Sequence, residues 1–90
     1  MKREDIIRDI HALDAELAAL EEQYGLLSPD FYHCLQAGEL EQTRDFIRWA
    51  GFYEAKRERE TSYRQMAYEH LRELRRRSGL GALSLEPAAA

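Results

Sequence analysis

Valine is absent from this chain, and its β-branched residues amount to four isoleucines and two threonines. Strands draw on β-branched and aromatic side chains, whereas Ala, Leu, Glu and Arg dominate here, so the composition excludes a sheet and predicts an all-α fold. Cysteine is nearly absent too. Cys34 stands alone and can close no internal disulfide, which fits a reducing compartment. Long apolar runs are missing: the opening MKREDIIRDI alternates charge with apolar residues, so it reads as neither a signal peptide nor a span. The expectation is a cytoplasmic protein without membrane contact.

Motifs that carry chemistry are scarce as well. His33 and Cys34 are sequence neighbours whose side chains would leave a helix about 100° apart, so they cannot hold one metal or act as a nucleophile and base from one face. No His-x-x-x-His or Cys-x-x-Cys pairing occurs, and Gly79 and Gly81 follow a helical pattern where a phosphate loop would precede one. The sequence therefore predicts no catalytic residue, no metal site and no cofactor. With 90 residues, 44% hydrophobic and 33% charged, it is neither a disordered tail nor a membrane protein, but it has little material for a core.

What is present is helical periodicity around a dense centre. Residues 24 to 53 hold all three Phe, the only Trp, three of five Tyr and three of five Gly. Before them, Ile6, Ile10, Leu13, Leu17, Leu20 and Tyr24 alternate by four and three, a heptad seam on a first helix over about 3–24. Gly25 ends it in the left-handed conformation, with Leu26 or Leu27 folding back. Ser28 is expected to cap a short second helix over about 29–37, with Pro29 at its first position and Asp30 meeting its dipole. Phe31, Tyr32, Cys34 and Leu35 give that helix its apolar face, and Gly38 stops it before Leu40 leads into a third.

The third helix is expected over about 43–77, uninterrupted by proline. Its first turns, Phe46, Ile47, Trp49, Ala50 and Tyr53, should bury against the other two helices, and Ala50 with Gly51 should allow a close approach. Glu54 to Ser62 is almost entirely polar; Tyr63, Met66, Ala67, Leu71 and Leu74 then resume a stripe. One domain over 1–77 is expected, an antiparallel hairpin of two long helices closed by the short one, with 78–90 a disordered tail. Counting residue for residue from Tyr24 beside Phe46 sets Leu17 near Tyr53, Leu13 near Arg57 and Ile6 near Arg64. Leu71 and Leu74 then overhang.

That overhang predicts a partner. Candidate partner-binding residues are Phe52, off the face shared by Phe46, Trp49 and Tyr53, together with Tyr63, Met66, Leu71 and Leu74 and the flanking Arg72, Arg75 and Arg76. Phe31, Tyr32, Phe46, Trp49 and Tyr53 read as core in preference to a binding cage. Charge is divided: residues 1–53 carry 11 acids and 5 bases, residues 54–77 carry 8 bases and 5 acids. Folding the first helix on the third would bring the halves together, a reading preferred to a nucleic-acid surface.

Tyr24-Gly25-Leu26-Leu27-Ser28-Pro29-Asp30-Phe31-Tyr32, then Gly38-Glu39-Leu40, then Asp45, Phe46 and Trp49-Ala50-Gly51-Phe52-Tyr53, resembles short helical proteins of bacteria and archaea. Those proteins read approximately YGMSSEEFY, GEL and D-F/Y-x-x-W-A-x-x-Y, and many are encoded beside a small toxin gene. The likeness covers about 30 of the 90 residues. It departs at Leu27, where the family favours Ser, and at Gln42-Thr43, where acids are common. The resemblance implies an antitoxin-like partner that neutralises a toxin by binding it, without catalysis. Residue reading alone leaves a homodimeric structural or assembly protein as the alternative, and weak nucleic-acid binding through the arginine cluster as a third.

Overall fold

The computed structural model describes residues 2–78 and is all-helical over them. Helix α1 spans Arg3–Tyr24, α2 Ser28–Gln36 and α3 Arg44–Ser78. The long pair α1 and α3 pack against each other, and the short α2 closes the end at which they are joined. The expected tail lies, from residue 79 onward, outside the described residues. Along its greatest extent the molecule measures 55 Å, close to the roughly 52 Å that 35 helical residues occupy, so α3 sets its length.

Each helix ends where local chemistry requires it. Lys2 N–H donates to Asp5 Oδ2 at the start of α1. At its other end Gly25 has φ of 66°, a conformation that needs no Cβ, and Leu26 N–H reaches back to Glu21 O. Gly38, with φ of 77°, does the same after α2, where Glu39 N–H bonds Cys34 O. Thr43 Oγ1 accepts from Phe46 N–H and so caps α3.

The core is small and lies near the joint. Leu17 and Leu20 from α1, Phe31 from α2 and Trp49 from α3 are buried together, and Tyr32, Leu35, Leu40, Phe46, Ala50 and Tyr53 pack around them. Beyond this cluster the α1–α3 seam becomes polar, as the sequence requires. Lys56 Nζ pairs with Asp14 at 2.7 Å and Arg59 Nε with Asp9 at 3.2 Å, which joins the basic half of the chain to the acidic half. Both pairs are open to water, so each contributes a few tenths of a kcal/mol, but together they set the register. Ile6 returns to burial past them, at 3% exposure.

Two expectations fail here for a geometric reason. Ile47 is 58% exposed: it follows Phe46 by one residue, about 100° around the helix, and Phe46 already points inward. Gly51 admits no close approach, because a Cβ built on it meets nothing within 4 Å. Gly51→Ala is therefore expected to stabilise the chain by about 0.5–1 kcal/mol, the helix-propensity gain without any clash, and urea titration would show it as a raised midpoint at unchanged slope.

Candidate functional site

Trp49 is the centre of the joint and is fully buried. Its ring stacks on Phe31 at 3.8 Å and 3°, and Tyr24 covers the arrangement at 5.6 Å from Trp49 and 5.2 Å from Phe46. An indole buried in this way needs an acceptor for its N–H. Ser28 supplies it: Trp49 Nε1 donates to Ser28 Oγ at 2.8 Å, and Ser28 Oγ donates in turn to Glu21 Oε2 at 2.7 Å. Glu21 Oε2 also accepts Ser28 N–H at 2.8 Å. One chain of hydrogen bonds thus ties α3 to α2 to α1.

This corrects the expected role of Ser28. It makes no capping bond within α2, whose N-cap position is Leu27, and the helix begins at Ser28 itself with Pro29 in the first turn. The carboxylate of Glu21 takes the Ser28 amide, which has no partner within the helix, so the hydroxyl is released to serve the indole. Glu21 was not singled out from the sequence, where an acid near a helix end looks like a solvated one. A lone Trp with no obvious acceptor on its own helix was the available signal.

Two phenols brace the rim. Tyr24 OH donates to Asp45 Oδ2, and Tyr32 OH donates to Glu54 Oε2 at 2.7 Å while its ring lies 5.0 Å from Tyr53. The hydrogen bond to each carboxylate favours the neutral phenol and holds both groups above the ordinary tyrosine value; Lys56 is held above the ordinary lysine value by its bond to Asp14. All three raised values mean stability that is fully present below about pH 10 and lost as pH climbs through the folded-state values. Melting temperature should accordingly fall as pH rises above about 10, and Tyr24→Phe with Tyr32→Phe should flatten that fall, as thermal melts across alkaline pH would show.

The cysteine is not an activated one. Burial, and then the nearby Glu39, push the Cys34 thiol up, which keeps it protonated, and the neighbouring His33 is exposed. No group of three or more His, Cys, Asp or Glu among the described residues is placed to hold a metal ion.

The expected partner-binding residues divide into two sets. Phe52, expected to stand outside, is half-buried against the core, with the Arg48 guanidinium 5.5 Å above its ring. Tyr63 lines a shallow groove of about 290 Å³ at the α1–α3 seam with Ile7, Ile10, His11 and Glu60. Met66, Leu71 and Leu74 are half-buried along α3, while Arg72, Arg75 and Arg76 are exposed beside them, Arg76 paired to Glu73 at 2.6 Å. The sequence did not point to the apolar exposure at the joint, where Leu27, Ile47 and Tyr68 further along α3 each show more than half their surface.

The register sets where the overhang begins. Asp14 opposite Lys56, Asp9 opposite Arg59 and Tyr24 beside Phe46 place Arg3 beside roughly residue 66 when α1 is followed to its start. From Tyr68 to Ser78, about 16 Å of α3 extends beyond α1. No helix among the described residues is long and apolar enough to cross a membrane. No protein-family model, curated protein or solved structure matches the chain.

Proposed function

We propose that this chain is a non-catalytic protein-interaction module which binds a partner along the C-terminal part of α3, in the manner of an antitoxin that neutralises a toxin by occluding it. The observation that carries this reading is the overhang: α3 outruns α1 while its α1-facing side continues with Leu71 and Leu74. Eighteen residues make five turns, so Leu71 points as Tyr53 does and Leu74 as Lys56 does, toward the line of α1. Apolar side chains on that line forfeit on the order of 1 kcal/mol each while they stay wet, and a second helix laid along them recovers it. The rigid joint at Trp49 serves to hold α3 at a fixed angle for such a partner. The antitoxin-like character is supported by the resemblance of residues 24–53 described above.

Co-purification with the protein encoded beside it tests the reading. Leu71→Glu with Leu74→Glu is expected to abolish the complex while Trp49 fluorescence and the core of the joint stay unchanged. Normal binding by that double variant would refute the assignment.

A further inference from the structure

We infer that the free chain pairs with a second copy of itself through the overhang of α3, the two helices running antiparallel about a two-fold axis near residues 72 and 73. The pairing goes beyond the partner-binding reading, because it concerns what covers the same face before a partner arrives.

A helix that continues the line and direction of α1 runs antiparallel to α3, as α1 does. A second α3 related by a two-fold axis is antiparallel by symmetry and presents the same apolar face. In antiparallel heptad packing the two seam positions face each other across the pair. Leu71 of each copy therefore meets Leu74 of the other. That register has a consequence at the helix ends. It brings the end of the second copy's α3, whose last turn carries Arg75, Arg76 and Arg77, up to the start of α1, whose first turn carries Glu4 and Asp5.

The ends match in two respects. Basic side chains meet acidic ones, and the carbonyl end of one helix faces the amide end of another, an arrangement of opposite partial charges. The ion pairs already made there do not oppose the exchange: Arg3 with Glu4 and Arg8 with Asp5 are long, 3.7 Å each, and the closer pair of Arg76 with Glu73, at 2.6 Å, lies one turn apart on the same helix and is open to water. Two overhangs of this length also fill each other's vacancy and stop at the first residue of α1. The contact is small, below the roughly 1,200 Å² of a standard interface, so it belongs with weak and reversible pairs. A toxin-like protein with a longer apolar groove would displace the second copy.

Sedimentation of the full chain over roughly 1 to 300 µM tests this, with a dimer of Kd on the order of 10–100 µM expected and weakened several-fold by about 0.5 M salt. Leu71→Glu with Leu74→Glu should leave a monomer. The register is tested by mild oxidation in a Cys34→Ala background. A mixture of Leu71→Cys and Leu74→Cys chains should cross-link faster than either alone, and Met66→Cys chains should not. A monomer throughout the range overturns the inference, whether the stripe is bare or covered by residues 79–90, as does a dimer indifferent to Leu71→Glu and Leu74→Glu or cross-linked best through Met66→Cys. The two readings fail separately. A monomer that loses its neighbour-encoded partner through those glutamates sinks the pairing alone, and a dimer broken by them whose partner binding is intact sinks only the partner-binding reading.

Discussion

Trp49→Ala is expected to leave the chain without a cooperative unfolding transition. Five apolar side chains among the described residues are buried, and Trp49, the largest of them, is fully so. It also sits among the other rings of the joint: Phe31 stacks on it, Tyr24 and Phe46 pack beside it, and Leu17 and Leu20 belong to the same cluster. Truncating a buried Trp to Ala costs about 3–5 kcal/mol in transfer and cavity terms. A domain of this size has roughly 4–12 kcal/mol in all, so most of its stability would go. The seam of α1 and α3 beyond the joint cannot compensate, since its middle is held by exposed ion pairs at Asp14 and Asp9. Urea titration followed at 222 nm should lose its sigmoid, and thermal melting should begin on the order of 20 °C lower. Residual helicity is expected from α3, which is long enough to be partly helical by itself. Retention of a sharp transition within a few degrees of the parent would place the core elsewhere. Trp49→Phe is the informative companion, because it keeps an aromatic ring against Phe31 while it removes the indole N–H and some volume.

Much of this architecture was legible in the chain because it rests on periodicity and on residues with few alternative uses. The alternation from Ile6 to Tyr24 and the glycine after it could describe little except a helix with a left-handed stop, and α1 ends at Tyr24 with Gly25 in that conformation. Antiparallel counting from Tyr24 and Phe46 worked because both helices are unbroken: Asp14 meets Lys56 and Asp9 meets Arg59 within two residues of the count. What failed was the reading of residue types that have several roles. Serine before proline is a good cap, but whether it caps depends on what lies across from it, and here Glu21 lies there. A hydrophobic run such as Phe46-Ile47 does not say which member faces inward; Ile47 faces out because Phe46 and Trp49 take the inner face. Phe52 was misplaced for the converse reason, since the packing around it comes from a cluster wider than the helix face used to judge it. The candidate surface on α3 was legible as an overhang. Its bounds depended on where α1 starts, which the pairing made measurable.

Ser28→Ala should be the most damaging change of a single small group, and its damage should depend on Trp49. Ser28 is 2% exposed and its hydroxyl does two things at once. It accepts from Trp49 Nε1 and donates to Glu21 Oε2. Removing it leaves an indole N–H buried without a partner, at a cost of about 1–3 kcal/mol, and takes one of two donors from a carboxylate, a charge-assisted bond of about 1.5–3 kcal/mol. The methyl group left behind fills nearly the same space, so cavity terms are small and the loss, roughly 2–4 kcal/mol after relaxation, is one of hydrogen bonding. In Trp49→Phe there is no indole N–H to strand. Ser28→Ala on that background should therefore cost less, by about 1–2 kcal/mol, and a double-mutant cycle from urea midpoints would measure the difference. Additivity would mean that the indole finds another acceptor and that the relay is incidental. Glu21→Gln provides the remaining comparison: its amide oxygen can still accept from both the amide and the hydroxyl of Ser28, so it should cost less than Ser28→Ala, by the weaker bond of an uncharged acceptor. A Glu21→Gln loss as large as that of Ser28→Ala would show that the charge at the start of α2 does the holding, with the hydroxyl bridge secondary to it.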